Sequence, residues 1–386
     1  MIAQYQPIKI VFVITALNAG GAEGVLHRLI EIMDSEKFSP YVISLTSEGE
    51  VGLKLRQIGI PLITLGMTNW QSLPMGFLKL VGQFNKIKPD IVHTWLYHAD
   101  LVGGLAAKMV GGSKVIWGIR SADFLNPKTG WLSKIIFYLC VVLSRWIPDL
   151  VIYNSWKGYH FHRKIGYKIA KSVVIPNGVD LSRFKPNRQY RDEIRCDLGL
   201  EDDTPLIGLI GRYDPLKNQI GFIAAAKKLY EAMPGVHYLM VGKDLDPQNE
   251  ELKAHLKGFI IAKNFHLLGS QTDIHKILPA LDLMALTSFS EGCPNVLMEA
   301  MASEIPCVST DAGDAQFIIG GPNWIVSVGD MNGMAKKWEL FFNLTVDEKK
   351  SISVQSRHRI NNNFEIQKMV KLYETEYVNI LPTSKV

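Results

Sequence analysis

Leu281-Asp282-Leu283-Met284-Ala285-Leu286-Thr287-Ser288 runs through Phe289 into Ser290-Glu291-Gly292-Cys293-Pro294-Asn295-Val296-Leu297-Met298-Glu299-Ala300-Met301. The first part is apolar almost without a break, the mark of a parallel strand buried on both faces. From Asn295 to Ala302 the residues are helix formers, so the Gly-Cys-Pro segment is the turn that opens a helix. A strand, a tight turn and a fresh helix N-terminus make an anion site, because the first-turn N–H groups have no intrahelical partner and point outward with the positive end of the dipole. Glu291 would stand at its mouth and Glu299 roughly one turn inside the helix. Carboxylates in a site that attracts anions are not there for phosphates. At this spacing they suit paired hydroxyls, as on a sugar ring and a ribose. From spacing alone the two glutamates read equally well as surface residues of an amphipathic helix.

The strand and helix of this stretch belong to a longer alternation that runs through the chain twice. Strands are expected near 9–17, 41–46, 62–65, 90–95, 114–118, 150–154 and 172–176, and again near 206–211, 237–241, 266–268, 282–287, 306–310 and 324–328. Such βα alternation predicts parallel sheets with helices on both faces and ligands beyond the carboxyl ends of the strands. The fold class is therefore α/β: two Rossmann-like domains facing across a cleft. An N-terminal domain over 1–185 and a C-terminal domain over 205–363 are joined by a polar linker over 186–204, rich in Arg, Asp and Pro. Residues 364–386 form a last helix whose domain the sequence leaves open, a return to the N-terminal domain being one option.

At 386 residues the chain is long for one domain and comfortable for two, each able to bury a core. A net charge of +5 fits phosphorylated substrates or an anionic membrane, but is too small and dispersed to argue for nucleic acid. The four cysteines lack metal-ligand spacing, and no secretory signal precedes the first strand, which points to a cytoplasmic setting. The apolar stretch from Trp131 to Ile147 is interrupted by Lys134 and Arg145 and is too short to span a bilayer. It reads as a helix packed between sheet and surface, with an interfacial anchor as the rival.

Two further constellations carry chemistry. In Ile210-Gly211-Arg212-Tyr213-Asp214-Pro215-Leu216-Lys217-Asn218, Arg212 and Lys217 sit past a strand end, where two cations could hold a diphosphate and stabilise its growing charge as a leaving group. Taken alone they read as solvated loop residues. In Leu17-Asn18-Ala19-Gly20-Gly21-Ala22-Glu23 paired glycines open a helix, though without the three-glycine dinucleotide spacing. His93 and His98 flank another strand end; His98, later in the loop, is the better placed for an acceptor hydroxyl, while His93 still lies within the strand. Arg120 ends a strand as a comparable candidate, with Asp123 as a possible partner.

These motifs together resemble the retaining GT-B glycosyltransferases of family 4, the glycosyl transferases group 1. The likeness rests on Gly20-Gly21-Ala22-Glu23, Asp90-Ile91-Val92-His93, Ile175-Pro176-Asn177-Gly178-Val179-Asp180, Gly211-Arg212 with Lys217-Asn218, and Glu291 to Glu299, and it spans nearly the whole chain. It implies a catalytic set of Arg212, Lys217, Glu291 and His98. Gly21, Gly292, Cys293, Asn295 and Glu299 would bind the donor, and His93 and Arg120 are acceptor-side candidates. The N-terminal domain would then take the acceptor and the C-terminal domain the donor. Two positions depart from the family pattern: Trp95 stands where a second histidine is common, and Cys293 where an aromatic residue is common.

The resemblance implies a metal-independent transfer of a hexose or N-acetylhexosamine with retention of anomeric configuration. The cosubstrate would be a nucleotide-diphosphate sugar, UDP-sugar favoured, with no cofactor. The partner would be a glycan or lipid-linked glycan of cell-surface polysaccharide assembly, met at the inner face of the cell membrane with peripheral membrane contact. Asp244-Leu245-Asp246 has the pattern of metal-dependent transferases but reads as a surface loop. The rival readings are a GT-B-fold nucleotide-sugar epimerase and a noncatalytic sugar-nucleotide binder.

Overall fold

The computed structural model describes residues 6–69, 71–122, 130–168, 171–258 and 260–383. The chain divides into two compact units, Met1–Gly178 with Ile366–Val386, and Val179–Glu365. Unit 1 runs β1 (Ile8–Ile14), α1 (Gly21–Ile32), β2 (Phe38–Ser44), α2 (Gly49–Gln57), β3 (Leu62–Thr64), α3 (Leu73–Ile87), β4 (Ile91–Trp95), α4 (Tyr97–Val110), β5 (Lys114–Ile119), α5 (Trp131–Leu143), β6 (Leu150–Tyr153), α6 (Trp156–Lys164) and β7 (Ser172–Val174). Unit 2 runs α7 (Arg188–Asp197), β8 (Leu206–Ile210), α8 (Gln219–Ala232), β9 (His237–Val241), α9 (Glu250–Leu256), β10 (Phe265–Leu267), α10 (Ile274–Ile277), β11 (Leu283–Leu286), α11 (Asn295–Ala302), β12 (Cys307–Thr310), α12 (Ala315–Ile319), β13 (Ile325–Val326), α13 (Met331–Phe342) and α14 (Val346–Asn363). The last helix, α15 (Ile366–Ile380), belongs to unit 1.

Alternation within each strand explains why a parallel sheet needs apolar residues throughout. In β1, Ile10, Phe12 and Ile14 enter one core cluster with α1, α2 and α15, while Val11 and Val13 enter another with residues of α3 and α4. In β8 and β9, Leu206, Leu239 and Val241 face one cluster and Ile207, Leu209, Tyr238 and Met240 the other. The strand order is β3-β2-β1-β4-β5-β6-β7 in the first sheet and β10-β9-β8-β11-β12-β13 in the second, with parallel pairing throughout. The order reverses between β1 and β4 and between β8 and β11. Adjacent loops there leave in opposite directions and open a crevice at the carboxyl edge, where ligands bind in such folds.

Two stretches differ from the expectation, and the last helix takes one of the two places left open for it. The chain leaves unit 1 at Gly178, and the segment 186–204 is part of unit 2 rather than a free linker. Its polar count misleads because two of its three arginines point inward while Arg188 stays exposed: Arg195 is buried and donates to Ala280 O at 2.6 Å, and Arg191 pairs with Asp282 at 2.8 Å. Asn187 caps α7 by accepting from Tyr190 N. The final helix carries an apolar stripe at Ile366, Met369, Val370, Tyr373 and Tyr377 that is buried in the unit 1 core. At about 1.5–3 kcal/mol per large side chain, that stripe makes α15 a structural member of unit 1 rather than a loose tail. Finally, α5 is not packed on all sides. Only Phe137 and Cys140 of its residues are buried, and Trp131, Tyr138 and Val142 are exposed.

Candidate functional site

In unit 2 the reversal point gathers Arg212 and Lys217 from the loop after β8 with Glu291 from the loop after β11. Local chemistry builds the first loop. Asp214 caps a short turn over Pro215–Lys217 by accepting from Leu216 N, and Asn218 takes a left-handed backbone (φ 54°) while capping α8 through Gly221 N. The turn is then fastened to the end of β11. Thr287 Oγ1 donates to Lys217 O and Asn218 O at 3.0 Å each, Asn218 Nδ2 donates to Thr287 O at 3.2 Å, and Phe289 N donates to Leu216 O at 2.7 Å. Lys217 is thereby held beside the strand that carries Glu291, although 74 residues separate them in sequence.

The charged groups are already paired. Lys217 Nζ lies 2.6 Å from Glu291 Oε1, and Ser288 Oγ donates to the same oxygen at 2.7 Å. Arg212 Nη2 lies 2.9 Å from Asp214 Oδ2. Two cations balanced by two carboxylates leave the loop cluster close to neutral, and the exposures differ in a useful way. The Arg212 side chain is 62% exposed, so its ion pair is weak and easily exchanged, whereas Glu291 at 10% is held in place.

The turn after Glu291 is clamped from behind. A Cβ on Gly313 (φ 52°) would stand 2.4 Å from Gly292 O, so the loop after β12 presses directly on this backbone, and Asp314 N donates to Gly292 O at 2.9 Å. Helix α11 then starts at Asn295 behind Pro294, with no side-chain cap on its N-terminus. Leu297, Met298, Ala300, Met301 and Ala302 bury its inner face, leaving Asn295 and Glu299, four residues apart, half-exposed on one outer face. Cys293 is buried in the turn. The arrangement offers a helix N-terminus without a side-chain cap, an exchangeable cation and a fixed carboxylate, the parts needed to hold a diphosphate beside hydroxyl groups.

The same edge of unit 1 is organised differently. After β1, Gly20 caps α1 in an extended conformation and Gly21 is exposed. After β4, Leu96 has φ 76°, a left-handed backbone that costs a non-glycine residue on the order of 1 kcal/mol or more. That turn sets Tyr97 and His98 at the head of α4. Tyr97 Oη lies 2.8 Å from Ser121 Oγ and 2.7 Å from His162 Nε2, and His162 Nδ1 lies 2.7 Å from Gly158 O. With Nδ1–H donating to the carbonyl, Nε2 accepts from Tyr97, so His162 is neutral; burial lowers its pKa to about 4. His98 is half-buried with Nε2 3.4 Å from Ser133 Oγ, and burial lowers its pKa too.

His93 and Arg120 are engaged inside the unit. The His93 side chain is 0% exposed, and its Nδ1 lies 2.8 Å from Tyr377 Oη of α15. Burial first, and then the charge of Arg120, holds its pKa well below the usual histidine value. Arg120 lies 4.3 Å above the Trp95 ring, donates to Tyr373 Oη at 2.9 Å and also donates to Asn177 Oδ1. These two acceptor-side candidates therefore meet the last helix rather than an open edge. Asp123, named as a partner of Arg120, lies outside the described residues. In Asp244-Leu245-Asp246, Asp244 is exposed, Leu245 is buried and Asp246 closes a turn through Gln248 N at 2.8 Å. Among the described residues no group of three or more His, Cys, Asp or Glu is placed to hold a metal ion.

Sequence reasoning missed Ser288 and Asp214, the partners that fix Glu291 and Arg212. Both lie within three residues of the group they hold, and polar residues that close to a candidate at a strand end are a usable signal. It also missed Tyr373 and Tyr377, whose spacing of four on an amphipathic helix does mark one face.

Residues 204–342 match the family described as glycosyl transferases group 1, and residues 19–183 the one described as glycosyltransferase family 4. The chain is 24% identical to the UDP-Gal:alpha-D-GlcNAc-diphosphoundecaprenol alpha-1,3-galactosyltransferase of Escherichia coli, over 99% of each protein. It is 25% identical to the capsular polysaccharide biosynthesis glycosyltransferase CapM of Staphylococcus aureus, over 80% of this chain and 81% of that one. The crystal structure of Anabaena HepE in complex with UDP-glucose aligns with a TM-score of 0.83 at 22% identity, covering 97% of this chain and 100% of that one. With most of each unit matched to a glycosyltransferase family and a transferase aligned along almost its full length, the chain belongs to the group 1 glycosyltransferases of family 4 and has their GT-B fold of two Rossmann-like domains.

Proposed function

We propose that the protein transfers a hexose or N-acetylhexosamine, with retention of anomeric configuration, from a UDP-sugar to a hydroxyl of a lipid-linked glycan in cell-surface polysaccharide assembly. The observation that carries this reading is the Lys217–Glu291 pair at the reversal point of the unit 2 sheet, 2.6 Å apart, with Glu291 four residues ahead of a helix, α11, whose N-terminus has no side-chain cap. The donor diphosphate takes Lys217 and Arg212 from their carboxylates. Glu291, released from Lys217 but still held by Ser288, accepts a hydroxyl of the transferred sugar, with the Gly292 and Cys293 amides beside it. Glu299 takes the ribose and Asn295 shares its face. As the glycosidic bond breaks, charge grows on the diphosphate, where the two cations and the helix N-terminus stabilise it. The acceptor hydroxyl attacks on the same face and gives its proton to a donor phosphate oxygen. Because the side-chain cations supply this charge, the reading calls for no divalent metal. His98 is the acceptor-side group kept for unit 1.

Support for the donor comes from HepE, solved with UDP and with UDP-glucose, and for the acceptor from the E. coli relative, which is named for a diphosphoundecaprenol-linked sugar. Such an acceptor would bring the enzyme to the cytoplasmic membrane face. The test is incubation of the purified chain with a panel of UDP-, GDP- and ADP-sugars, with and without a short-chain lipid-diphosphate sugar. Nucleotide is expected to be released from a UDP-sugar only when acceptor is present, with the product anomer matching the donor by NMR coupling. A sugar that changes configuration while still attached to the nucleotide would overturn transfer in favour of isomerisation, and an inverted anomer would overturn retention.

A further inference from the structure

Helix α5 is apolar on two faces, and among the described residues only one of them is buried against the protein. Phe137 and Cys140 form the inner stripe, with the Phe137 ring 5.1 Å from that of Tyr97 and Cys140 Sγ 3.5 Å from Tyr97 O. On the outside, Trp131, Ile135, Tyr138 and Val142 follow at steps of four, three and four, and Trp146 lies one further turn on. Trp131 is 74% exposed, Tyr138 66% and Trp146 62%, so large side chains that normally seek burial line a continuous outward stripe.

The charge around the stripe is one-sided. From Gly130 to Lys168 there are six Lys or Arg and a single acid, Asp149, which is itself paired with Lys108 at 3.2 Å and Lys114 at 3.7 Å. Lys134 and Arg145 stand at the two ends of α5, and Arg145 lies over the Trp146 ring at 4.9 Å. Helix α6, packed beside α5 through Phe161 and Phe137, adds exposed Lys157, Arg163 and Lys164. Indole rings at the ends, aliphatic side chains between them and cations around them are the composition of a helix that lies in the headgroup region of a bilayer. No helix of the described residues is long and apolar enough to cross a membrane, so the stripe lies along a surface rather than through it. A second copy of the chain is the competing occupant. A self-complementary contact would set each copy's excess of cations against the other's, and like charge disfavours it.

We infer that the outer face of α5, flanked by the basic residues of α6, docks the protein on an anionic lipid surface. The inference concerns binding and not chemistry, so it can fail while the transfer reaction stands, and the reverse. The test is sedimentation of the full chain with vesicles of phosphatidylcholine, alone or mixed with phosphatidylglycerol, alongside its oligomeric state in solution. Binding is expected only to the anionic vesicles and should weaken with added salt. The triple variant Trp131→Ser, Tyr138→Ser, Val142→Ser should bind at least about tenfold more weakly, and Lys134→Glu with Arg145→Glu should do the same. Because all five side chains are on the surface, the thermal unfolding transition should be unchanged in both variants, which shows that unit 1 folds. Wild-type protein that ignores anionic vesicles, or a triple variant that binds as well as wild type, would overturn the inference. A wild-type dimer that the triple variant converts to monomer would assign the face to a second copy instead.

Discussion

The two units place the same topology to opposite uses. At the reversal point of unit 2, the groups that reach the sheet edge are polar, partly exposed and paired with neighbours they can exchange: Lys217 with Glu291, Arg212 with Asp214. In unit 1, His93 within β4 and Arg120 just past β5 are drawn into contact with α15, His93 by Tyr377 and Arg120 by Tyr373. An arginine just past a strand end is thus exposed with an exchangeable partner in one setting and fastens the chain's own last helix in the other. What separates the settings is whether another element covers that part of the sheet.

The largest effect expected from breaking this contrast falls on the open edge. Lys217→Ala should lower transfer by about a hundredfold or more, the worth of a cation aimed at a leaving diphosphate, measured as initial rates against donor and acceptor. Its melting temperature should move little, since the ion pair it loses is partly exposed. Arg120→Ala should do the reverse. It removes the Trp95 stack and two hydrogen bonds, costing on the order of 3 kcal/mol, or a fall of about 6–12 °C in melting temperature, while kcat of the folded enzyme holds within about twofold. A large loss of kcat with unchanged melting would return Arg120 to the acceptor.

A smaller effect should appear with pH. His162 is held neutral with a folded pKa of about 4, below its unfolded value, so on acidification the unfolded chain takes up a proton first. Its contribution is full above about pH 6.5 and is lost as pH falls toward 4, at most on the order of 3 kcal/mol. Asp100 acts with the opposite sign, because burial raises its carboxyl well above the usual range. The difference between wild type and His162→Gln in denaturant titrations at several pH values isolates the histidine. That difference should shrink between pH 6.5 and 4, and a flat one would remove His162 from the account.

The strands were legible because a parallel sheet buried on both faces leaves a continuous apolar run that no polar alternation can imitate. The strand–turn–helix around Glu291 was legible for the same reason, since position at a carboxyl edge follows from the order of elements. The pairing of Lys217 with Glu291 was not, because it depends on Thr287 and Asn218 fastening two loops that are remote in sequence. The home of α15 was equally hidden, as an apolar stripe fits any apolar surface. Residues 188–197 misled through composition: Arg191 and Arg195, counted as solvent-facing, are held inside unit 2 by Asp282 and by hydrogen bonds to main-chain carbonyls. In α5 the apolar count was right and its direction was wrong, since nothing in a sequence says how much of a helix its neighbours can cover.

The measurement that bears most directly on the open edge is UDP binding by calorimetry, set beside sugar transfer, for Glu291→Gln. Glu291 is paired with Lys217; in the proposed reading the diphosphate must take that cation, and the same carboxylate serves the sugar. The two readouts should therefore move in opposite directions. UDP should bind about two- to fivefold tighter, the worth of a partly exposed ion pair no longer competing, while transfer falls about a hundredfold. UDP affinity that stays the same or weakens, or transfer that survives the substitution, would contradict the assignment of the Lys217–Glu291 pair as the donor site.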